Sequence, residues 1–165
     1  MNIIEQKSIR IQLHNNRKES LNSFSSIEHS LDFFSNKLEK IWINDSKSTD
    51  MRATACSLSN IDGPIIWIVG QNLSPRDLDI IEDLVLSKVT EIIYFGKHET
   101  NIKYLFGSKI KYSQLSTIKE AVNMALNNPI KNISVLFSPA CSSYITHENY
   151  QLRGDYFKNL IDSLA

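Results

Sequence analysis

Three short apolar runs limit most strongly how this chain can fold: Ile65 to Val69, closed by Gly70; Glu91 to Phe95, closed by Gly96; and Ile133 to Phe137, closed by Ser138-Pro139. Each is short for a helix and shows no polar face, as expected of strands buried on both sides in a parallel sheet. Parallel strands need long crossovers, and helical periodicity fills the gaps between the runs. Ile118, Ala121, Val122, Ala125 and Leu126 recur at helical spacing behind Thr117-Ile118-Lys119-Glu120, a capping box. Phe157, Leu160, Ile161 and Leu164 form a similar stripe near the C-terminus. Ser74-Pro75-Arg76-Asp77 reads as another capping box with Pro at the first helical position, opening a helix that carries Leu78, Ile81, Leu84 and Val85. A shorter helix is predicted over Thr49 to Leu58, with Asp50 in its first turn. Further strands are expected at Leu38 to Asn44, at Leu31 to Phe34 (paired with it through a turn at Ser35-Asn36-Lys37) and at Ile110 to Tyr112. The predicted class is α/β: a three-layer, Rossmann-like domain whose mostly parallel sheet carries helices on both faces.

Length and composition narrow the function classes. The 165 residues suit one domain with a short appendage. Eighteen basic residues balance eighteen acidic ones, which argues against a nucleic-acid partner while leaving room for a local basic site. No apolar stretch is long enough to span a bilayer, and Met1 to Arg10 lacks the features of a signal peptide. A soluble, cytoplasmic chain with no membrane partner is expected. Cys56 and Cys141 share no metal-ligand spacing, so a reducing compartment is the default. Residues 1–28 contain no Gly or Pro and are rich in Asn, Ser and charge; they read as an appendage, with a helix at about Asn16 to Phe24, ahead of a domain over 29–165.

In open parallel sheets, ligands gather at the carboxyl ends of the strands. Asp45 to Thr49, Gly70 to Ser74, Gly96 to Glu99 and Ser138 to Asn149 should lie there. Asn44-Asp45-Ser46-Lys47-Ser48-Thr49 places a carboxylate, an ammonium and hydroxyls where a strand gives way to a helix. Two readings stay open for it: an anion site, or a helix cap beside a surface ion pair. Ser138-Pro139-Ala140-Cys141-Ser142-Ser143 can offer hydroxyls and backbone N–H groups to a carboxylate. Cys141, with no adjacent cation in sequence, is either a nucleophile or a small buried thiol. His147 is either a general base or a loop residue. The histidines at 14, 29 and 98 form no metal spacing, and neither G-x-G-x-x-G nor G-x-x-x-x-G-K-[ST] occurs.

The two polar segments, followed by Asn149-Tyr150-Gln151-Leu152-Arg153-Gly154-Asp155-Tyr156-Phe157, resemble the C-terminal domain of the Mur ligases. The resemblance is to the branch that adds D-glutamate to UDP-N-acetylmuramoyl-L-alanine. That branch shows NDSKAT after a strand, then SPACAS followed by N-[FY]-x-x-R-G-x-x-F, in this order and spacing. Asp62-Gly63-Pro64 before a buried strand is a further match. The resemblance implies a three-domain ligase of peptidoglycan synthesis, in which ATP, with Mg2+, phosphorylates a carboxylate. The amine of D-glutamate then attacks the acyl phosphate. It implies Lys47 and Asp45 near the ATP phosphates and the reacting centre, as catalytic and cofactor-contacting groups. Thr49, Ser143, Tyr144 and Tyr150 are implied as D-glutamate contacts.

This chain also departs from the pattern. The family's His-Arg before the first strand is His29-Ser30 here, and that Arg serves the nucleotide. The family's G-G-x-x-K loop is Gly70-Gln71-Asn72-Leu73-Ser74 here, with Ser74 in place of a lysine that binds a D-glutamate carboxylate. Arg76, two positions on, can replace it only by pointing back. The resemblance runs from about Ser20 to the end, so the UDP- and ATP-binding domains have no counterpart. ATP and Mg2+ are therefore expected to bind only with a separate chain carrying the ATP-binding domain. The alternative expectation is a degenerate, non-catalytic binding module of the same fold.

Overall fold

The computed structural model describes residues 30–73, 75–98 and 100–164. The predicted appendage, its helix, His29, Ser74 with its cap, and Glu99 lie outside the described residues. The order is β1 (Asp32–Lys37), β2 (Lys40–Asn44), α1 (Met51–Asn60), β3 (Ile65–Gly70), α2 (Glu82–Lys88), β4 (Val89–Phe95), α3 (Asn101–Phe106), β5 (Lys111–Leu115), α4 (Ile118–Leu126), β6 (Ile133–Phe137), a 3-10 turn (Ser143–Ile145) and α5 (Tyr150–Asp162). The strands form one sheet in the order β1-β2-β6-β3-β4-β5. All neighbours are parallel except β1, an antiparallel edge strand.

The apolar runs are the central strands, and their alternation divides the core. Ile43, Ile65, Trp67, Val69, Ile92, Tyr94 and Leu136 face α1, α2 and α3. Trp42, Ile66, Ile68, Ile93, Val135 and Phe137 face α4 and α5. This is the predicted three-layer α/β arrangement. The Thr117–Glu120 capping box is formed in full.

Several local expectations are corrected. The β1–β2 turn is Leu38-Glu39, both with positive φ, not Ser35-Asn36-Lys37. Two such residues give the twist a tight hairpin needs. Asp50 caps α1 from outside rather than sitting in its first turn; its side chain accepts from Ala53 N–H at 2.9 Å. The helix expected directly after Ser74-Pro75 starts only at Glu82. Arg76 is the physical reason: its guanidinium is bonded to loop carbonyls, and its own carbonyl accepts from Asn101 Nδ2 at 2.7 Å instead of serving a helix. Helix α3 was not expected; six residues with Ile102 and Phe106 buried are too few to show a period.

Candidate functional site

The carboxyl ends of β2, β6, β3 and β4 form one rim, and three of its loops are stitched together through backbone. Ala140 N–H donates to Ser48 O at 3.0 Å, Gly70 N–H to Pro139 O at 2.9 Å, and Ser138 N–H to Ile68 O at 3.2 Å. Gly70 is required by close approach: a Cβ there would stand 2.6 Å from both Cys141 Sγ and a Phe95 ring atom. Because β1 runs antiparallel, with Asp32 opposite Asn44, its start returns to the same rim. Ser30, half-buried, therefore stands beside the Asp45 loop.

Asp45 is enclosed under this rim, 1% exposed. Its Oδ2 accepts from Ser48 Oγ and Ser57 Oγ at 2.6 Å and from Ser138 Oγ at 2.8 Å. Its Oδ1 accepts from Leu31 N–H at 3.2 Å. Burial pushes its pKa above the ordinary 3.8, against the lowering effect of these bonds. The carboxylate thus ties the β2 loop to α1, β6 and the start of β1, and it turns toward none of the rim's open surface. Lys47, two residues on, is half-buried and makes no hydrogen bond or ion pair with the described residues. Thr49 is exposed, and Tyr144 is 82% exposed on the 3-10 turn. Ser143 is buried there, its carbonyl accepting from Thr146 and His147 N–H. Tyr150 opens α5, half-buried, and its carbonyl accepts from Ser46 Oγ at 2.9 Å.

Arg153 joins the two polar segments, a role the sequence did not reveal. Fully buried, it donates from Nε to Ser46 Oγ at 3.0 Å, from Nη2 to Ser46 O at 2.6 Å and from Nη1 to Cys141 O at 3.0 Å. The signal was present: Arg153, Phe157 and Ile161 follow one another at four-residue spacing along the buried stripe of α5. An arginine in phase with an apolar stripe marks a buried polar junction.

Arg153 also corrects the reading of Cys141. The thiol does have adjacent cations: Arg153 Nη1 lies 3.5 Å from Sγ, and the Arg76 charge acts on it as well. Burial outweighs both and pushes the thiol up, so it stays protonated. His147 Nδ1 sits 2.9 Å from Thr146 Oγ1, and its pKa is lowered by burial and by the Arg153 charge. No hydrogen bond joins His147 to Cys141, so the two do not form a thiol–imidazole pair. Among the described residues no cluster of acids, His or Cys could hold a metal ion, and no helix is long and apolar enough to cross a membrane.

Two solved structures share the fold: a murein peptide ligase from Psychrobacter arcticus (TM-score 0.57, 7% identity, 86% of this chain and 31% of that one) and the Thermotoga maritima MurF ligase in complex with ADP (TM-score 0.53, 14% identity, 85% and 33%). The chain shares the fold of a Mur ligase C-terminal domain. Its curated relatives are UDP-N-acetylmuramoylalanine--D-glutamate ligases: 32% identical over 147 residues in Chlorobium limicola, 31% over 148 in Salinibacter ruber and 34% over 148 in Christiangramia forsetii. Each match takes in 89% of this chain and 32–33% of the relative, so the chain spans about a third of their length. No family model matches the chain.

Proposed function

We propose that residues 29–165 are the amino-acid-binding, C-terminal domain of a D-glutamate-adding Mur ligase, acting in cytoplasmic peptidoglycan synthesis. The observation that carries this reading is the Arg153 junction, which draws the Asn44–Thr49 and Ser138–Ser143 segments onto one rim. Lys47, without a partner among the described residues, is placed to meet a ligand or the reacting centre. Thr49, Ser143, Tyr144 and Tyr150 surround the acceptor, D-glutamate, whose amine attacks the activated carboxylate of UDP-N-acetylmuramoyl-L-alanine. Asp45 serves by holding the loop that carries Lys47, as a positioning residue rather than a contact.

The described residues do not fit ATP with Mg2+ on their own. The Asp45 carboxylate is taken up by three serine hydroxyls, no acid cluster stands near it, and the sequence has no phosphate-binding loop. Ser30 and Ser74, where the resemblance calls for an arginine and a lysine, favour a second reading: a binding module that has kept the fold and lost the chemistry.

Calorimetric titration with D-glutamate tests the first reading. A saturable heat in the millimolar range, about −4 kcal/mol, that is weakened in Lys47→Ala supports it. No heat at any attainable concentration favours the second.

A further inference from the structure

Two exposed apolar side chains, Leu152 and Tyr156, stand about one turn apart on the outer side of α5. The His147 ring lies 5.2 Å from the Tyr156 ring, which brings the 3-10 turn, with exposed Tyr144 and Ile145, against that side. The charges around these residues have one sign. Glu148 and Asp155 are exposed, and no exposed lysine or arginine lies between Ser142 and Asn159. Arg153 is buried, and Lys158 is half-buried on Asp32 at 2.6 Å. An apolar surface rimmed by charge marks a contact site, and the complement of this one is an apolar segment that carries cations.

The chain contains such a segment outside the described residues. Residues 7–18 hold Lys7, Arg10, Arg17 and Lys18 and no acidic residue, with apolar Ile9, Ile11 and Leu13 between them. The eighteen basic and eighteen acidic residues balance only with this block included. The start of β1 fixes where the segment is tethered. Leu31 N–H donates to Asp45 Oδ1 at 3.2 Å. The next residue, Ser46, donates from Oγ to Tyr150 O at 2.9 Å and accepts from Arg153 Nε at 3.0 Å. The chain thus enters the sheet beside α5. Residues 19–29 link the basic block to that point and span up to about 36 Å when extended, against a length of roughly 20 Å for α5. Exposed Tyr104 has acidic neighbours too, Asp77 and Asp79, but it sits on α3, which follows β4 at the other end of the sheet from β1.

We propose that residues 7–18 fold back onto this face of the same chain, with Ile9, Ile11 and Leu13 against Ile145, Leu152 and Tyr156 and the four cations toward Glu148 and Asp155. A tether of this length holds the segment at a local concentration on the order of millimolar, so a contact too weak to form between separate chains forms within one.

The test is paramagnetic relaxation on the full chain. A nitroxide is attached at Gln12→Cys, with the exposed Cys56 changed by Cys56→Ser and Cys141 left buried. It should broaden the amide signals of residues 144–148 and 151–156 and spare those of 101–106. Lys7→Glu, Arg10→Glu, Arg17→Glu and Lys18→Glu together should remove more than about half of that broadening, as should salt at about 0.5 M. Glu148→Lys with Asp155→Lys, placed in the charge-reversed chain, should restore it, which a misfolded variant cannot do. Broadening at α3 instead, or at no part of the described residues, overturns the proposal. Broadening of the face that charge reversal leaves unchanged also overturns it, because the cations then have no part in the contact. The last control mixes spin-labelled chain lacking 15N with 15N-labelled chain lacking the nitroxide. Broadening there as strong as within one chain assigns the face to a second copy and overturns the intramolecular contact. None of these outcomes bears on the acceptor reading, which the D-glutamate titration decides by itself.

Discussion

Asp45 shows how a polar residue in a ligand-facing loop can be spent on architecture. Three hydroxyls converge on one of its oxygens, yet no cation among the described residues pairs with it, so burial dominates and its pKa lies above the ordinary 3.8. A carboxyl raised in the folded state adds stability that is fully present below its unfolded value and is lost as pH rises through the folded one. Asparagine has no such titration. The stability of the wild type minus that of Asp45→Asn should therefore shrink as pH rises above the ordinary 3.8. Urea unfolding at a series of pH values measures this, and a difference that grows instead would mean the hydroxyls win over burial. Cys141 makes the companion case. Its thiol is buried between Gly70 and Arg153 and kept protonated, so it serves packing. Cys141→Ala should cost about 1 kcal/mol in stability through a small cavity and leave D-glutamate affinity nearly unchanged. Binding lost at unchanged stability would count against a packing role.

At the level of elements, α5 bears the most. Phe157 stacks on Phe137 at 4.4 Å between centroids and meets Phe34 edge-on at 5.7 Å, while one turn earlier Arg153 holds the two polar loops. Phe157→Ala should destabilise the chain by about 3–5 kcal/mol and loosen both loops with it. Hydrogen exchange should then speed up at Ser46 and Cys141 as well as along α5; exchange confined to the helix would separate the aromatic anchor from the loop junction. The elements legible in the sequence were those with strong periods: the three apolar strands, the capped α4 and the stripe of α5. The segment after Gly70 was misread because its local signals, Pro75 and acidic residues, favoured a helix. The pull on Arg76 from the Gly70 and Ala140 carbonyls overrode them, and Ala140 lies 64 positions away in sequence. The rim segments could be located from strand ends, but the burial of Asp45 and the reach of Arg153 depend on how loops meet. No single loop encodes that.

On the scale of the whole molecule, the chain spans about a third of its curated relatives' length; its rim offers Lys47, without a partner among the described residues, and the sequence carries no G-x-x-x-x-G-K-[ST] loop to cradle a triphosphate. Amide formation from a poor electrophile needs the carboxylate activated and the amine held beside it, and positioning alone is worth about 7–11 kcal/mol of the barrier. Under the proposed reading the rim holds only the amine-bearing partner, so it does not supply the first half. The purified chain should release no phosphate from ATP above a mock-purified control. Adding the remaining two thirds of the Chlorobium limicola ligase as a separate chain should restore amide formation from UDP-N-acetylmuramoyl-L-alanine and D-glutamate. The rate should rise with the concentration of this chain and saturate, as expected when two parts must dock before the site closes. Lys47→Ala should abolish it without changing the melting temperature, because Lys47 has no partner among the described residues to lose. ATP turnover by these residues alone, dependent on Lys47, would overturn the reading that carboxylate activation lies outside them. A mixture that stays inactive while the chain still binds D-glutamate would point to Ser30 and Ser74 as the sites where chemistry was lost. Ser30→Arg with Ser74→Lys is the variant to place in the same mixture next.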